Sequence, residues 1–204
     1  MDIEDFDRIM TTTRSVRRRL DFDRTVDPEL IESCIDVATQ APTGLPSESW
    51  RFLVVTDSTV KLKLAEFYRG ALEILRQKRG GELKPAQKAL ADRLHEVPVL
   101  ILACALGRPA PDSVPHQVAF YGSILPAAWS LMLALRARGL GATWTTLHLV
   151  HEGAVAELLG IPADVTQTVL LPVGHLKDAV LRPAERRPAA EVTYWNEWGQ
   201  FREG

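Results

Sequence analysis

The sequence predicts an α+β fold, an α/β sandwich in which a small mixed central sheet is flanked by helices. Three observations carry that prediction. Three apolar runs, WRFLVV at 50–55, VPVLILACAL at 97–106 and QTVLLPVGHL at 167–176, are short enough for strands and are separated by longer helical stretches. The middle run is apolar on both faces, so it belongs inside a sheet rather than at its edge. Only four or five strand candidates accompany much more helix, so helices must pack on helices as well as on the sheet.

The elements follow in chain order. Residues 3–12 read as a short helix running into TTTRSVRRR at 11–19. A second helix opens with Asp27 as N-cap and Pro28 at the first helical position. Leu30, Ile31, Cys34, Ile35 and Ala38 then recur at helical spacing until Pro42. Beyond the 50–55 strand, residues 58–79 and 84–95 read as helices, joined by the charged, glycine-containing turn KRGGELKP. The loop GRPAPDSVP follows the central strand. Residues 113–135 carry no Asp, Glu, Lys or Arg and are long enough to cross a bilayer. Their Gln117, Ser123, Ser130 and Pro126, in a chain with no other membrane-adapted feature, favour a helix buried on all sides. Arg136 and Arg138 suit its C-terminus, and Gly139 its left-handed cap. ATWTTL at 142–147 reads as a short strand or extended loop, and 151–160 as a helix stopped by GIP. The tail VTYWNEWGQF places four aromatics in ten residues with no regular period. Such a segment either lies across another surface, such as a second subunit, or folds back on its own chain.

Composition excludes several classes. At 204 residues the chain suits one domain, 1–204, able to bury a core. A formal charge of -2 and a pI near 6.2 argue against nucleic acid as a partner. Cys34 and Cys104 stand far apart in apolar surroundings and read as buried thiols in a reducing compartment. The acidic start MDIEDFDRIM is unlike a secretory leader, so a cytoplasmic location without membrane contact is expected.

Among chemical motifs, no G-x-G-x-x-G follows a strand, and Walker, C-x-x-C, H-E-x-x-H and G-x-S-x-G patterns are missing. His148 and His151 are three apart but lack a third ligand, so no metal is expected. What remains is basic. Arg14, Ser15, Arg17, Arg18 and Arg19 form one cluster and RPAERRP at 182–188 a second. Guanidinium forks with a hydroxyl make a good phosphate cradle. The two clusters either converge on one anion or form two solvated faces. PTGLPS at 42–47 sits between a helix and a strand, where it presents small polar groups and backbone to a flat ligand or serves as an ordinary turn.

Taken together, TTTRSVRRRLDF, ATQAPTGLPSESWRFLVV, RARGLGATWTTLH, LLPVGHL and RPAERRP resemble the nitroreductase family of FMN-dependent oxidoreductases, in an actinobacterial subgroup. The resemblance covers nearly the whole chain. It implies a domain-swapped homodimer with two FMN sites built from both subunits, residues 189–204 extending over the partner. By the same resemblance Arg14 and Ser15 would hold the FMN phosphate and ribityl chain, and Arg17 would face the pyrimidine edge. Pro42, Thr43, Gly44, Leu45 and Ser47 would line the ring from the partner chain. Thr145, Thr146 and Leu147 match the stretch whose backbone approaches flavin N5, and Arg186 matches a late phosphate-binding arginine. Pro46 stands where the family often has a side-chain amide, Glu48 adds a negative charge, and Ala184 replaces a second late basic residue, with Arg187 beside it.

The implied activity is a ping-pong transfer of two electrons from NADH or NADPH to a nitroaromatic, quinone or similar small aromatic acceptor, with no catalytic side chain beyond the flavin. The resemblance leaves three alternatives open: a flavin-sequestering protein with little turnover, in which 66–96 covers the ring; reductive dehalogenation; and flavin fragmentation.

Overall fold

The computed structural model describes residues 2–45 and 48–202. The chain divides into a larger unit, residues 13–179, and a smaller one made of residues 1–12 and 180–204.

Among the described residues the larger unit has five strands: β1 (Leu20–Asp21), β2 (Trp50–Val55), β3 (Val99–Leu106), β4 (Leu140–Ala142) and β5 (Val165–Leu176). The order is β1-β5-β3-β2, with β4 also paired to β5. Among the described residues β1–β5, β2–β3, β3–β5 and β4–β5 all pair antiparallel, and only an isolated bridge between Gly107 and Val165 is parallel, where a mixed sheet is expected from the sequence. A strand's direction is set by where its connection returns it, and nothing in the local apolar pattern encodes that. The α+β class stands. The β3–β5 register slips between Ala103 and Cys104, and there Thr168 Oγ1 donates to the Ala103 carbonyl at 2.7 Å. The bulge residue's hydroxyl thus satisfies a main-chain group that the ladder leaves out.

Two helices pack on one face of this sheet, α2 (Pro28–Ala38) and α5 (Val114–Ala137). Asp27 caps α2 by accepting from Glu29 N at 3.0 Å, with Pro28 behind it. The side chains of Ile31, Cys34, Leu131 and Leu135 meet Val99, Ile101, Val169 and Leu171 in one buried cluster. By strand alternation Leu100, Leu102 and Leu170, all buried, point to the opposite face. The apolar 113–135 segment is a helix packed in the core, with Phe120, Ile124, Ala127, Ala128 and Leu131 almost wholly buried, but it is not buried on all sides as expected: Val114, Val118 and Tyr121 are exposed. Both cysteines are free and buried.

α3 (Ser58–Arg79) begins at Asp57, which accepts from Val60 N, and ends at Gly80, whose φ of 61° is the left-handed cap. α4 (Pro85–Arg93) and a 3-10 turn, Leu94–Glu96, lead into β3. Lys61 on α3 is buried and donates to the Val97 carbonyl at 2.8 Å, pinning α3 to the start of β3. Burial lowers its pKa. A second 3-10 turn, Leu147–His151, runs into α6 (Glu152–Leu159).

The smaller unit holds α1 (Ile3–Thr12) and α7 (Ala189–Val192). The aromatic tail folds on itself: the Tyr194 ring lies 4.9 Å from those of both Trp198 and Phe201. Trp198 is nevertheless 90% exposed.

Candidate functional site

The Arg14–Arg17 segment has no regular structure, yet it is fixed by three bonds to residues more than a hundred positions away. Val16 N donates to the Ala142 carbonyl at 2.9 Å. Thr143 Oγ1 donates to the Val16 carbonyl, and Trp144 N donates to Ser15 Oγ at 3.0 Å. The segment therefore runs beside the strand-like continuation of β4. Gly141, just before this stretch, leaves room for Leu176 and Leu20, since a Cβ there would stand 2.6 Å from Leu176 Cδ2 and 2.9 Å from Leu20 Cδ2.

This stapling sorts the arginines. Val16 is buried, Arg14 and Arg17 are half-buried, and Arg18 and Arg19 are exposed. Arg14 Nε is enclosed and has no hydrogen-bond partner among the described residues. A buried guanidinium nitrogen without an acceptor is a cost that an anion would remove. Ser15 Oγ already accepts from Trp144 N, so its own O–H is left to donate elsewhere. Donors without acceptors are what a phosphate cradle needs.

The stretch 145–147 continues from the same place. Thr145 is buried and locked onto β5, donating to the Leu170 carbonyl at 3.1 Å and accepting from Leu170 N at 2.9 Å. Thr146 is exposed and Leu147 half-buried. Leu147 N reaches Thr145 Oγ1 only at a long 3.4 Å. The fold thus brings Arg14, Ser15 and Arg17 together with Thr145, Thr146 and Leu147.

Tyr68, which the sequence reading passes over, joins them. It projects from α3 and is 2% exposed. Burial raises its hydroxyl pKa, while hydrogen bonding with the Thr145 side chain and the charge of Arg17 draw it back. The helical period of α3 marks Tyr68 as a core position.

Pro42, Thr43, Gly44 and Leu45 sit elsewhere, on α5. Gly44 N donates to Ser123 Oγ at 2.9 Å, and Trp50 Nε1 donates to the Ser123 carbonyl. Pro42, Thr43 and Gly44 are exposed and Leu45 half-buried, so the loop is fixed and presented outward. Ser47 and Pro46 lie outside the described residues, and Glu48 is exposed. Arg186 lies in the smaller unit, exposed on a segment without regular structure.

His148 is 1% exposed, and neither ring nitrogen has a partner among the described residues; burial holds its pKa near 4. His151 instead lies against Phe67, ring centroids 5.8 Å apart. No cluster of metal-ligating side chains occurs among the described residues. Between α3 and α4 a separate cavity of about 470 Å³ is lined by Arg69, Glu73, Arg76, Glu82 and Lys88. Hydrogen bonds from Arg76 and Gln77 hold the Glu73 carboxyl near 2.

The sequence profile of the Nitroreductase family matches residues 10–175. The chain belongs to the nitroreductase family. The match spans the arginine segment, the 42–45 loop and the 145–147 stretch. Iodotyrosine deiodinase 1 of Pongo abelii is 32% identical over 197 residues, which cover 92% of this chain and 67% of that protein. A nitroreductase-like family protein from Bacillus cereus superposes with a TM-score of 0.71 at 23% identity, covering 94% of this chain and 95% of the other. An oxidised iodotyrosine deiodinase bound to FMN and 3-iodo-L-tyrosine superposes with a TM-score of 0.66 at 24% identity, covering 96% and 99%. The fold is therefore nitroreductase-like.

Proposed function

We propose that this nitroreductase-family enzyme is an FMN-dependent oxidoreductase that passes two electrons from a reduced nicotinamide to a small aromatic acceptor. The observation that carries the reading is the Ser15–Trp144 bond, which seats the arginine segment against the 145–147 stretch. Family membership and the FMN held by the superposing deiodinase support it.

Arg14 and Ser15 supply charge and an O–H donor to the phosphate end; for Arg186 the family resemblance alone suggests a phosphate-binding role. Arg17, half-buried, supplies a positive charge for the ring edge that becomes negative on reduction. Thr146 and Leu147 offer backbone N–H groups to the redox-active nitrogen. Pro42, Thr43, Gly44, Leu45 and Ser47 serve a partner subunit's site, so the working unit is a homodimer in the cytoplasm, with 189–204 reaching over the partner. FMN, when bound, supplies the hydride chemistry, and the chain supplies position and field.

Anaerobic mixing with NADH, and separately NADPH, tests the activity. The yellow colour bleaches with at least one donor and returns when a quinone or nitroaromatic is added. Bound FMN that neither donor bleaches would make this a flavin-sequestering protein.

A second reading concerns the acceptor. The deiodinase relatives favour a halogenated tyrosine as substrate, with reductive loss of halide. Halide release from 3-iodotyrosine, measured beside quinone turnover, distinguishes the two.

A further inference from the structure

A cavity of about 180 Å³ lies between the end of β3 and the start of α5. Two of its lining residues are deeply buried, Phe120 at 2% exposure and Ser49 at 3%. Leu45 and Leu106 add apolar wall, and Arg108 and His116 line its exposed side. The walls are fixed by hydrogen bonds. Leu106 N donates to the Ser49 carbonyl at 2.8 Å, Gly107 N to the Asp164 carbonyl at 2.7 Å, and Thr166 Oγ1 to the Gly107 carbonyl at 2.7 Å. Gly107, with φ 89°, stands against Phe120, whose ring a Cβ there would meet at 3.7 Å.

Three polar groups of this wall are short of partners. Ser49 Oγ is enclosed and has none among the described residues, although burying an unbonded hydroxyl is costly. The His116 ring accepts from Ala110 N at Nδ1, 2.9 Å away, which puts the ring proton on Nε2 and leaves that N–H to donate. Arg108 spends Nε on the Ala163 carbonyl and Nη1 on Glu152, so Nη2 is free among the described residues. No carboxylate lines the cavity among those residues. The space exceeds what a single water needs and is smaller than a drug-sized pocket, which suits a small organic molecule.

We propose that this cavity binds a small hydroxylated aromatic carboxylate. The carboxylate accepts from Arg108 and His116 on the exposed side, the ring lies on Phe120 between the two leucines, and the hydroxyl meets Ser49 at the buried end. Glu152 already shares the guanidinium at 2.6 Å, so hydrogen bonding rather than net charge holds the acid, and affinity is modest. The site goes beyond the FMN reading and shares only Leu45 with it.

The probes are 4-hydroxybenzoate and benzoate, titrated into the full chain with and without FMN and followed by the amide shifts of Leu106, Gly107 and His116. Both acids should shift these amides saturably whether or not FMN is present, so the outcome is independent of the flavin reading. 4-Hydroxybenzoate should bind about two- to tenfold tighter than benzoate, the range expected for one hydrogen bond. Ser49→Ala should erase that preference, leave benzoate binding unchanged and not lower the melting temperature, since the hydroxyl has no partner to lose. His116→Phe, which removes the N–H donor, should weaken both acids alike. Equal affinity for the two acids, a preference that survives in Ser49→Ala, or a Ser49→Ala chain that melts lower would overturn the proposal. So would amides that neither acid shifts, which would leave the cavity to water.

Discussion

The two basic clusters have much the same composition and very different fates. Residues 14–17 are stapled to 142–144 by three hydrogen bonds, and two of their arginines are half-buried. Arg182, Arg186 and Arg187 are exposed on a segment without regular structure. On the function proposed above, main-chain anchoring is what would turn a run of arginines into a site. Anchoring pays the ordering entropy before a ligand arrives, and burial leaves Arg14 Nε short of an acceptor.

That contrast can be broken at its most deeply buried point first. His148 closes the turn after Leu147 and is held neutral, with a folded pKa near 4 against about 6.5 in the unfolded chain. Between those values the unfolded state takes up a proton that the folded state refuses. Stability is therefore full above pH 6.5 and declines as the pH falls towards 4, by up to about 3 kcal/mol. Urea unfolding of the wild type across this window should show the decline, and His148→Leu should flatten it.

The arginines come next. Arg14→Ala should weaken FMN binding by about 1.5–3 kcal/mol, the value of a charged hydrogen bond. Arg186→Ala should cost no more than about 1 kcal/mol, as exposed charges do. Arg19→Ala, exposed and adjacent, should change affinity less than about twofold. Fluorescence titration of the three variants gives the order, and equal effects would erase the distinction between anchored and free clusters.

The anchor itself sharpens the comparison. Gly141→Ala should destabilise the fold by about 1–3 kcal/mol, because the added Cβ meets Leu176 and Leu20. Thr143→Val removes the donor to the Val16 carbonyl and should cost about 1 kcal/mol. Both variants should also weaken FMN binding, whereas an equally destabilising change far from the segment should not.

What the sequence made legible was local. Asp27 and Pro28 begin α2, Gly139 (φ 77°) follows the end of α5, and the doubly apolar 97–106 run is the interior strand β3. The nearness of Arg14 and Ser15 to 145–147 followed from the family resemblance, since a bond between residues 129 positions apart leaves no local signal. β1 escaped notice because two residues have no period; they are a strand only through pairing with Leu176 and His175. Sheet direction and the sorting of Arg17 from Arg18 are likewise decided by packing across the chain.

The central claim is that the anchored segment and the 145–147 stretch hold FMN, and titrating flavin-free protein with FMN tests it most directly. The account predicts saturable quenching of flavin fluorescence at one FMN per chain, with riboflavin, which lacks the phosphate, binding far more weakly. No saturable quenching, or equal affinity for FMN and riboflavin, would contradict it.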